Sequence, residues 1–488
     1  MPVSPDYRPD PRFMTLGPEF ADEVEPASFP QSILRFRNDR AAATVGLEAL
    51  TDDEWIAHFA RFEPLPDNQP RPLATRYHGH QFRTYNPDLG DGRGFLFAQM
   101  REAGSGRLLD LGTKGSGRTP WSRTADGRLT LKGGVREVLA SEMLEALGVP
   151  TCRTFSLVET GEELMRPDEP SPTRSSVMVR LSATNIRFGT FQRHAFHGRA
   201  DLIQALIDHV VETYYPDLAE HEGAARAAPL LARVVQRSGE LCARWIAAGF
   251  VHGVLNTDNL NIAGESFDYG PYRFLPRNDP NFTAAYFDDS GLYAFGRQPE
   301  AVMWNLNQLA GCLSLVAEKD PLVAALQTYG DAYRRALSLA MVRRLGLVPR
   351  TEEEDVGLTN VAFRALEEGG AALRWEPFFY DWFGGAASED RAMGGPRAHL
   401  YGGPAVAELR GWFGHYEADR PERVDQPAFK RPDPEELLYE EIEAIWARIA
   451  EADDWSSFDE KIHRIRTAGA AYGLAERRET DLPDNADR

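Results

Sequence analysis

His252-Gly253-Val254-Leu255-Asn256-Thr257-Asp258-Asn259, followed nine residues later by Asp268-Tyr269-Gly270, is the stretch on which the reading of this 488-residue chain turns. It is polar, with a carboxamide and a carboxylate, Asn259 and Asp268, at close spacing. Both are oxygen donors of the kind a hard divalent cation takes, and such a cation also bridges phosphates. A second carboxylate, Asp258, stands beside Asn259, while Val254 places an apolar side chain two residues after His252.

Upstream, three further features occur in a telling order. Leu89-Gly90-Asp91-Gly92-Arg93-Gly94 has glycines at alternate positions directly before a candidate strand, so its backbone can approach a phosphate closely. No Gly-Lys-Ser/Thr follows, which excludes a Walker loop. Lys114 ends the next candidate strand, and Glu137 lies in the helix after it. Glycine turn, strand lysine and helix glutamate, then H-x-D-x-x-x-x-N and D-F-G, is the order in which protein kinases hold a nucleotide. Here His252 and Asn259 keep the kinase spacing, but Val254 occupies the position of the base and cannot accept a proton. Ordinary phosphotransfer by that base is excluded, and Asp258 is the best replacement.

The surrounding chain reads as an α+β protein. The first thirty residues suggest an extended, Pro-interrupted arm, and residues 1–72 are assigned to an N-terminal arm. Strands are expected over Gly94–Met100, Leu108–Thr113, Thr154–Glu159 and Ser176–Leu181. Val135, Val138, Leu139, Met143, Leu144 and Leu147 mark one helix among them, stopped by Gly148-Val149-Pro150. Residues 73–195 then form a β-rich N-lobe, 196–345 a helical C-lobe with the catalytic loop, and 346–488 a helical extension with a frayed end.

Composition narrows the class. Hydrophobic residues at 42% and charged residues at 26% predict ordinary globular packing. A formal net charge of −20 argues against a nucleic-acid partner, which needs a basic surface, but not against a nucleotide held in a small basic pocket. Cys152, Cys242 and Cys312 lie far apart, as buried thiols in a reducing compartment would. Met1 to Pro30 carries no apolar core of a secretory signal, and no run approaches the length of a membrane helix. A cytoplasmic protein with no membrane partner is expected.

These motifs resemble the selenoprotein O family of protein adenylyltransferase pseudokinases. The resemblance rests on Leu89–Gly94, Lys114-Gly115-Ser116-Gly117, Thr119-Pro120-Trp121-Ser122-Arg123, Asp126-Gly127-Arg128, Val135-Arg136-Glu137 and Val179–Phe191. It continues through Gly253–Asn259, Asp268-Tyr269-Gly270-Pro271, Phe287–Gln298 and Trp304-Asn305-Leu306. It implies a bilobal protein-kinase-like fold, with a small β-rich N-lobe, a larger helical C-lobe and extra C-terminal helices. It also implies that ATP binds reversed, with its terminal phosphate buried, and that AMP passes to Ser, Thr or Tyr hydroxyls of proteins with release of pyrophosphate. By position, Gly90, Gly92, Arg93, Lys114, Asp126, Gly127, Arg180, Arg187 and Asp268 would contact the nucleotide. Glu137 would pair with Lys114, Asn259 and Asp268 would hold Mg²⁺ or Mn²⁺, and Asp258 would accept the proton. UMP transfer from UTP in the same site and a non-catalytic nucleotide-binding scaffold stand as alternatives.

Overall fold

A computed structural model of the chain describes residues 3–167 and 169–475. The fold is a mixed one, an antiparallel β-sheet combined with many helices. The main sheet uses β1 (Ala21–Glu23), β2 (Ile33–Arg37), β3 (Leu73–Thr75), β6 (Leu96–Arg101), β7 (Leu108–Lys114), β9 (Arg153–Leu164) and β10 (Thr173–Ser182). Their order across the sheet is β1-β3-β6-β7-β10-β9-β2, and β8 (Leu129–Thr130) pairs with β10. A separate hairpin joins β4 (Gly79–Gln81) to β5 (Thr84–Asn86), and β11 (Phe250–Val251) pairs with β12 (Arg273–Phe274).

All seven residues of β7 are buried, because both faces of the sheet are covered. On one face Phe97, Leu109, Leu111, Phe155, Val177 and Val179 meet Trp55 and Phe59 of the Asp52–Phe59 helix. The Trp55 ring stacks on Phe155 at 4.8 Å, and its Nε1 donates to Ser156 Oγ at 2.9 Å. The segment before Leu73 therefore departs from the expected arm: it contributes two strands and a helix to the sheet and its core. Large aromatic rings bury on the order of 150–250 Å² each, and Trp55 and Phe59 have no solvent exposure.

The other face packs on the Leu131–Ala146 helix. Thr130 caps it by accepting from Gly133 N at 3.1 Å, and Gly148, at φ +76°, turns the chain away. β9 and β10 run past the expected strands, pairing out to Leu164 with Thr173. Apart from buried Leu164, those outer residues are polar or glycine and carry no alternating signal.

Helices dominate from Phe188 onward, among them Ala200–Tyr214, Ala227–Ala247, Gln298–Leu313, Tyr329–Arg344 and Glu352–Gly369. The last two described helices, Tyr439–Ala452 and Ser456–Tyr472, return to the Leu131–Ala146 helix. Gly469 lies so close to the Leu131–Ala146 helix that a Cβ there would sit 2.9 Å from the Ala146 Cβ. Arg466 holds buried Glu142 through two bonds of 2.7 and 2.8 Å, and Lys132 pairs with Glu443 at 2.7 Å. The helix that carries Glu137 is thus clamped between the sheet and the C-terminal segment. Cys152, Cys242 and Cys312 are buried free thiols. Among the described residues no helix is long and apolar enough to cross a membrane. The expected frayed end falls on residues 476–488, outside the described residues.

Candidate active site

Lys114 emerges from the end of β7 into a buried knot of charge. Its Nζ donates to Glu137 Oε1 and, at 3.2 Å, to Asp268 Oδ1. Arg180, on the neighbouring strand β10, donates to the same Asp268 oxygen. Arg187 reaches Asp268 Oδ2 at 2.8 Å and the Asp258 carbonyl at 2.8 Å. Its guanidinium is stacked between the rings of Tyr77 and Phe267, 4.7 and 4.8 Å from their centroids. Three cations, each less than a tenth exposed, converge on one carboxylate. Burial pushes the Asp268 carboxyl up, but Arg180, Lys114 and Arg187 outweigh it and hold the group well below the carboxylate range. Asp268 itself sits at φ +58°, a left-handed conformation uncommon for aspartate.

The pairing of β11 with β12 brings the 252–259 loop beside Asp268. His252 Nε2 faces the Phe267 carbonyl at 2.9 Å, so that nitrogen carries a proton, and burial holds the imidazole below its ordinary pKa. The β4–β5 hairpin fastens the loop from above. Thr257 Oγ1 accepts from His80 N at 2.7 Å and donates to Gln192 Oε1 at 2.5 Å. Asn256 Oδ1 accepts from Phe82 N at 3.0 Å and from the Tyr293 hydroxyl at 2.8 Å. Val254 serves through its backbone: its carbonyl accepts from Asn259 Nδ2 at 2.9 Å, which fixes the amide and turns Oδ1 away from that bond.

Asp258 is held in this frame with one oxygen unsatisfied. Its Oδ1 is buried and has no hydrogen-bond partner among the described residues. Burial pushes the carboxyl up to about 6, with Arg187 acting against the shift. Gly79 leaves it just enough room, since a Cβ there would lie 2.9 Å from Asp258 Oδ1. Gly79→Ala is expected to displace the carboxylate and lower catalytic turnover about tenfold or more, as sub-ångström misplacement of reacting groups does. Circular dichroism should stay that of the parent, because the residue lies at a hairpin edge.

The glycine turn has a different neighbour from the one its pattern suggests. A Cβ on Gly90 would lie 2.4 Å from Trp121 Cγ, and one on Gly92 would lie 2.9 Å from the Trp121 carbonyl. Thr119 Oγ1 donates to the Asp91 carbonyl and Ser122 Oγ to the Gly92 carbonyl, both at 2.5 Å. The 119–122 segment is therefore strapped onto the turn, and the glycines make room for it. Arg93 is exposed, and its side chain has no partner among the described residues. Asp126 pairs with Arg166 at 2.8 Å, and Gly127, at φ +71°, packs on the Gly117 carbonyl. None of the described hydrogen bonds joins Asp126 or Gly127 to the Asp268 knot.

Several site residues escape the sequence reading. Asp91 anchors its Oδ2 on Thr75, N at 3.1 Å and Oγ1 at 2.6 Å, and turns Oδ1 to within 3.7 Å of Arg187 Nη2. Its place between two glycines is the only signal it gives. Tyr77, Gly79, Gln192 and Phe267 act through contacts between distant segments and leave none.

The donors fit a hard divalent cation. Asn259 and Asp268 offer carboxamide and carboxylate oxygens only, and the buried, unpaired Oδ1 of Asp258 belongs to the residue next to Asn259 in the chain. Among the described residues no cluster of three or more His, Cys, Asp or Glu side chains is poised around a metal position. Asp268 has both oxygens committed to cations, Oδ1 to Lys114 and Arg180 and Oδ2 to Arg187.

A family model described as protein adenylyltransferase SelO matches residues 5–466. The protein nucleotidyltransferase YdiU of Synechococcus elongatus is 56% identical over 342 residues, covering 69% of this chain and 68% of that one. The protein of the same name from Synechocystis sp. is 43% identical over 482 residues, 94% and 98% of the two chains. That from Gloeobacter violaceus is 45% identical over 476 residues, 94% and 95%. A match that begins in the strand-bearing N-terminal segment and runs to the helix clamped on Glu142 takes in every residue of the site, and the chain belongs to the SelO protein adenylyltransferase family, whose members are nucleotidyltransferases.

Proposed function

We propose that the chain transfers AMP from ATP to Ser, Thr or Tyr hydroxyls of proteins, in a kinase-like bilobal fold with the nucleotide reversed. The observation that carries this reading is the convergence of Lys114, Arg180 and Arg187 beside the unpaired oxygen of Asp258. The sheet with the Leu131–Ala146 helix would act as the small lobe and the helical part as the large one, as the Lys114–Glu137 pair suggests.

On entry, the terminal phosphates replace Asp268 as the anion facing Lys114, Arg180 and Arg187. Guanidinium forks suit phosphate oxygens better than an ammonium does. Glu137 keeps Lys114 aimed, and stacking between Tyr77 and Phe267 keeps the Arg187 plane fixed. Asp258 takes the proton of the acceptor hydroxyl as its oxygen bonds to the α-phosphorus. The bond from the α-phosphorus to the bridging oxygen breaks, and pyrophosphate leaves with the electron pair. A carboxyl with its pKa near 6 is ionised at neutral pH yet basic enough to receive that proton. Asn259 and Asp268 would hold Mg²⁺ or Mn²⁺, which when bound offsets negative charge on the phosphates. Protein acceptors in the cytoplasm are the partners this reading implies.

Incubation of the protein with a divalent cation and [α-³²P]ATP is expected to label protein, whereas [γ-³²P]ATP labels none. Label from the γ-phosphate would end the reversed-nucleotide reading. Stronger labelling from [α-³²P]UTP than from [α-³²P]ATP would move the assignment to UMP transfer.

A further inference from the structure

The buried knot is close to electrical balance before any nucleotide arrives. Lys114, Arg180 and Arg187 face Asp268 and Glu137, and Asp91 stands behind Arg187. A nucleoside triphosphate brings several negative charges into this region. The phosphate lying farthest from the knot needs a cation the knot does not contain.

Arg123 is placed to supply it. It directly follows the strap, whose Ser122 Cα lies 3.4 Å from where a Cβ on Gly92 would stand. Arg123 therefore leaves the chain one residue from the glycine turn. Its side chain is exposed and makes no ion pair or hydrogen bond with any described residue. Its backbone is left-handed, φ +52°, a conformation costly for a residue with a Cβ. Neighbours hold it there: Thr119 N donates to Ser122 Oγ at 2.8 Å, Ala125 N to the Ser122 carbonyl at 2.8 Å, and Arg118 Nη2 to the Arg123 carbonyl at 3.4 Å. Strain kept by surrounding bonds is a mark of functional positions.

We propose that Arg123 contacts the α-phosphate of the bound nucleotide at the mouth of the site, while Lys114, Arg180 and Arg187 hold the buried phosphate end. This rests on the reversed orientation above. Thr119, Trp121 and Ser122 then do more than fill space over the glycines. They fix the origin of a guanidinium that meets the phosphate being transferred.

The test uses the full chain with Arg123→Gly and Arg123→Lys, titrated calorimetrically with ATP and with AMP, alongside transfer from [α-³²P]ATP. Arg123→Gly removes the backbone strain as well as the charge. It is expected to unfold no earlier than the parent, yet to bind both ATP and AMP about tenfold more weakly and to transfer more slowly, as loss of a charge-assisted contact does. Arg123→Lys should recover part of the affinity. Unchanged affinity for both nucleotides in Arg123→Gly overturns the proposal. Weaker ATP with unchanged AMP overturns the α-phosphate assignment in favour of an outer phosphate. A parent that binds ATP but transfers no α-label would sink the AMP-transfer reading, while the two titrations still decide whether Arg123 meets the α-phosphate.

Discussion

Asp268→Ala is expected to abolish nucleotidyl transfer and, at the same time, to tighten the binding of metal-free ATP. The two effects have one cause. In the parent, Lys114, Arg180 and Arg187 are already paired with Asp268, so an incoming phosphate must displace a carboxylate from all three. Without that carboxylate the cations face only Glu137 and Asp91, and the phosphate meets one competitor fewer. The excess buried positive charge also destabilises the fold; removing one partner of a buried charge pair costs about 3–5 kcal/mol, and the 18% exposure of the Asp268 side chain, with Glu137 and Asp91 still facing the cations, puts this case at the lower end. Thermal unfolding should show an earlier transition in the variant, and added ATP should raise it further than it raises the parent's. With divalent cation present the order is expected to reverse, because the proposed metal site uses Asp268. Binding of the metal–ATP complex as tight as the parent's would remove Asp268 from the metal site. Metal-free ATP binding no tighter than the parent's would mean that phosphate does not compete for the three cations.

Asp258→Asn is expected to separate chemistry from binding. The amide has nearly the shape of the carboxylate but takes up no proton, and loss of a general base slows a reaction by about 10²–10⁴-fold. ATP affinity should stay close to the parent's, since Arg187 uses only the Asp258 backbone carbonyl. The fold should lose nothing. Burial raises the Asp258 pKa to about 6, so the folded state favours the neutral form. Ionised Asp258 therefore costs stability above that pH, and a neutral amide avoids the cost. Unfolding at pH 8 should come no earlier in Asp258→Asn than in the parent. Full transfer activity in this variant would assign the base elsewhere.

The charged knot was the most legible part of the sequence. Lys114, Glu137 and Asp268 stand in an order that only a shared site explains, and they do meet. Arg180 and Arg187 came from the family resemblance and meet at the same carboxylate. The glycine turn shows the limit of pattern reading. Gly90 and Gly92 look like a phosphate approach, and the closest demand on them is the Trp121 segment, which no local pattern announces. Asp126 likewise spends its carboxylate on Arg166, forty residues away. The N-terminal strands were missed because three and five residues are too short to show alternation. The helix packed over them carries a start signal in the Thr51–Glu54 capping box, but its place in the core rests on Trp55 and Phe59, whose burial depends on β9 and β10. Gly79 gave no sign of its role, because its neighbour Asp258 lies far along the chain.

The clamp of the Ser456–Tyr472 helix on the Leu131–Ala146 helix bears on how the protein is made. Arg466 and Glu142 are 324 residues apart in the chain. At about 5–20 residues per second, a ribosome needs on the order of tens of seconds to deliver the second after the first. Throughout that interval the helix that aims Lys114 has one flank bare and Glu142 without its bidentate partner. A polypeptide whose synthesis stalls before residue 456 would have the turn, the lysine, Asn259 and Asp268, but would lack the outer support behind the helix that carries the glutamate. The site would therefore be fully supported only once residues 456–472 have been made, and chains that stop short of them would be poor catalysts by construction.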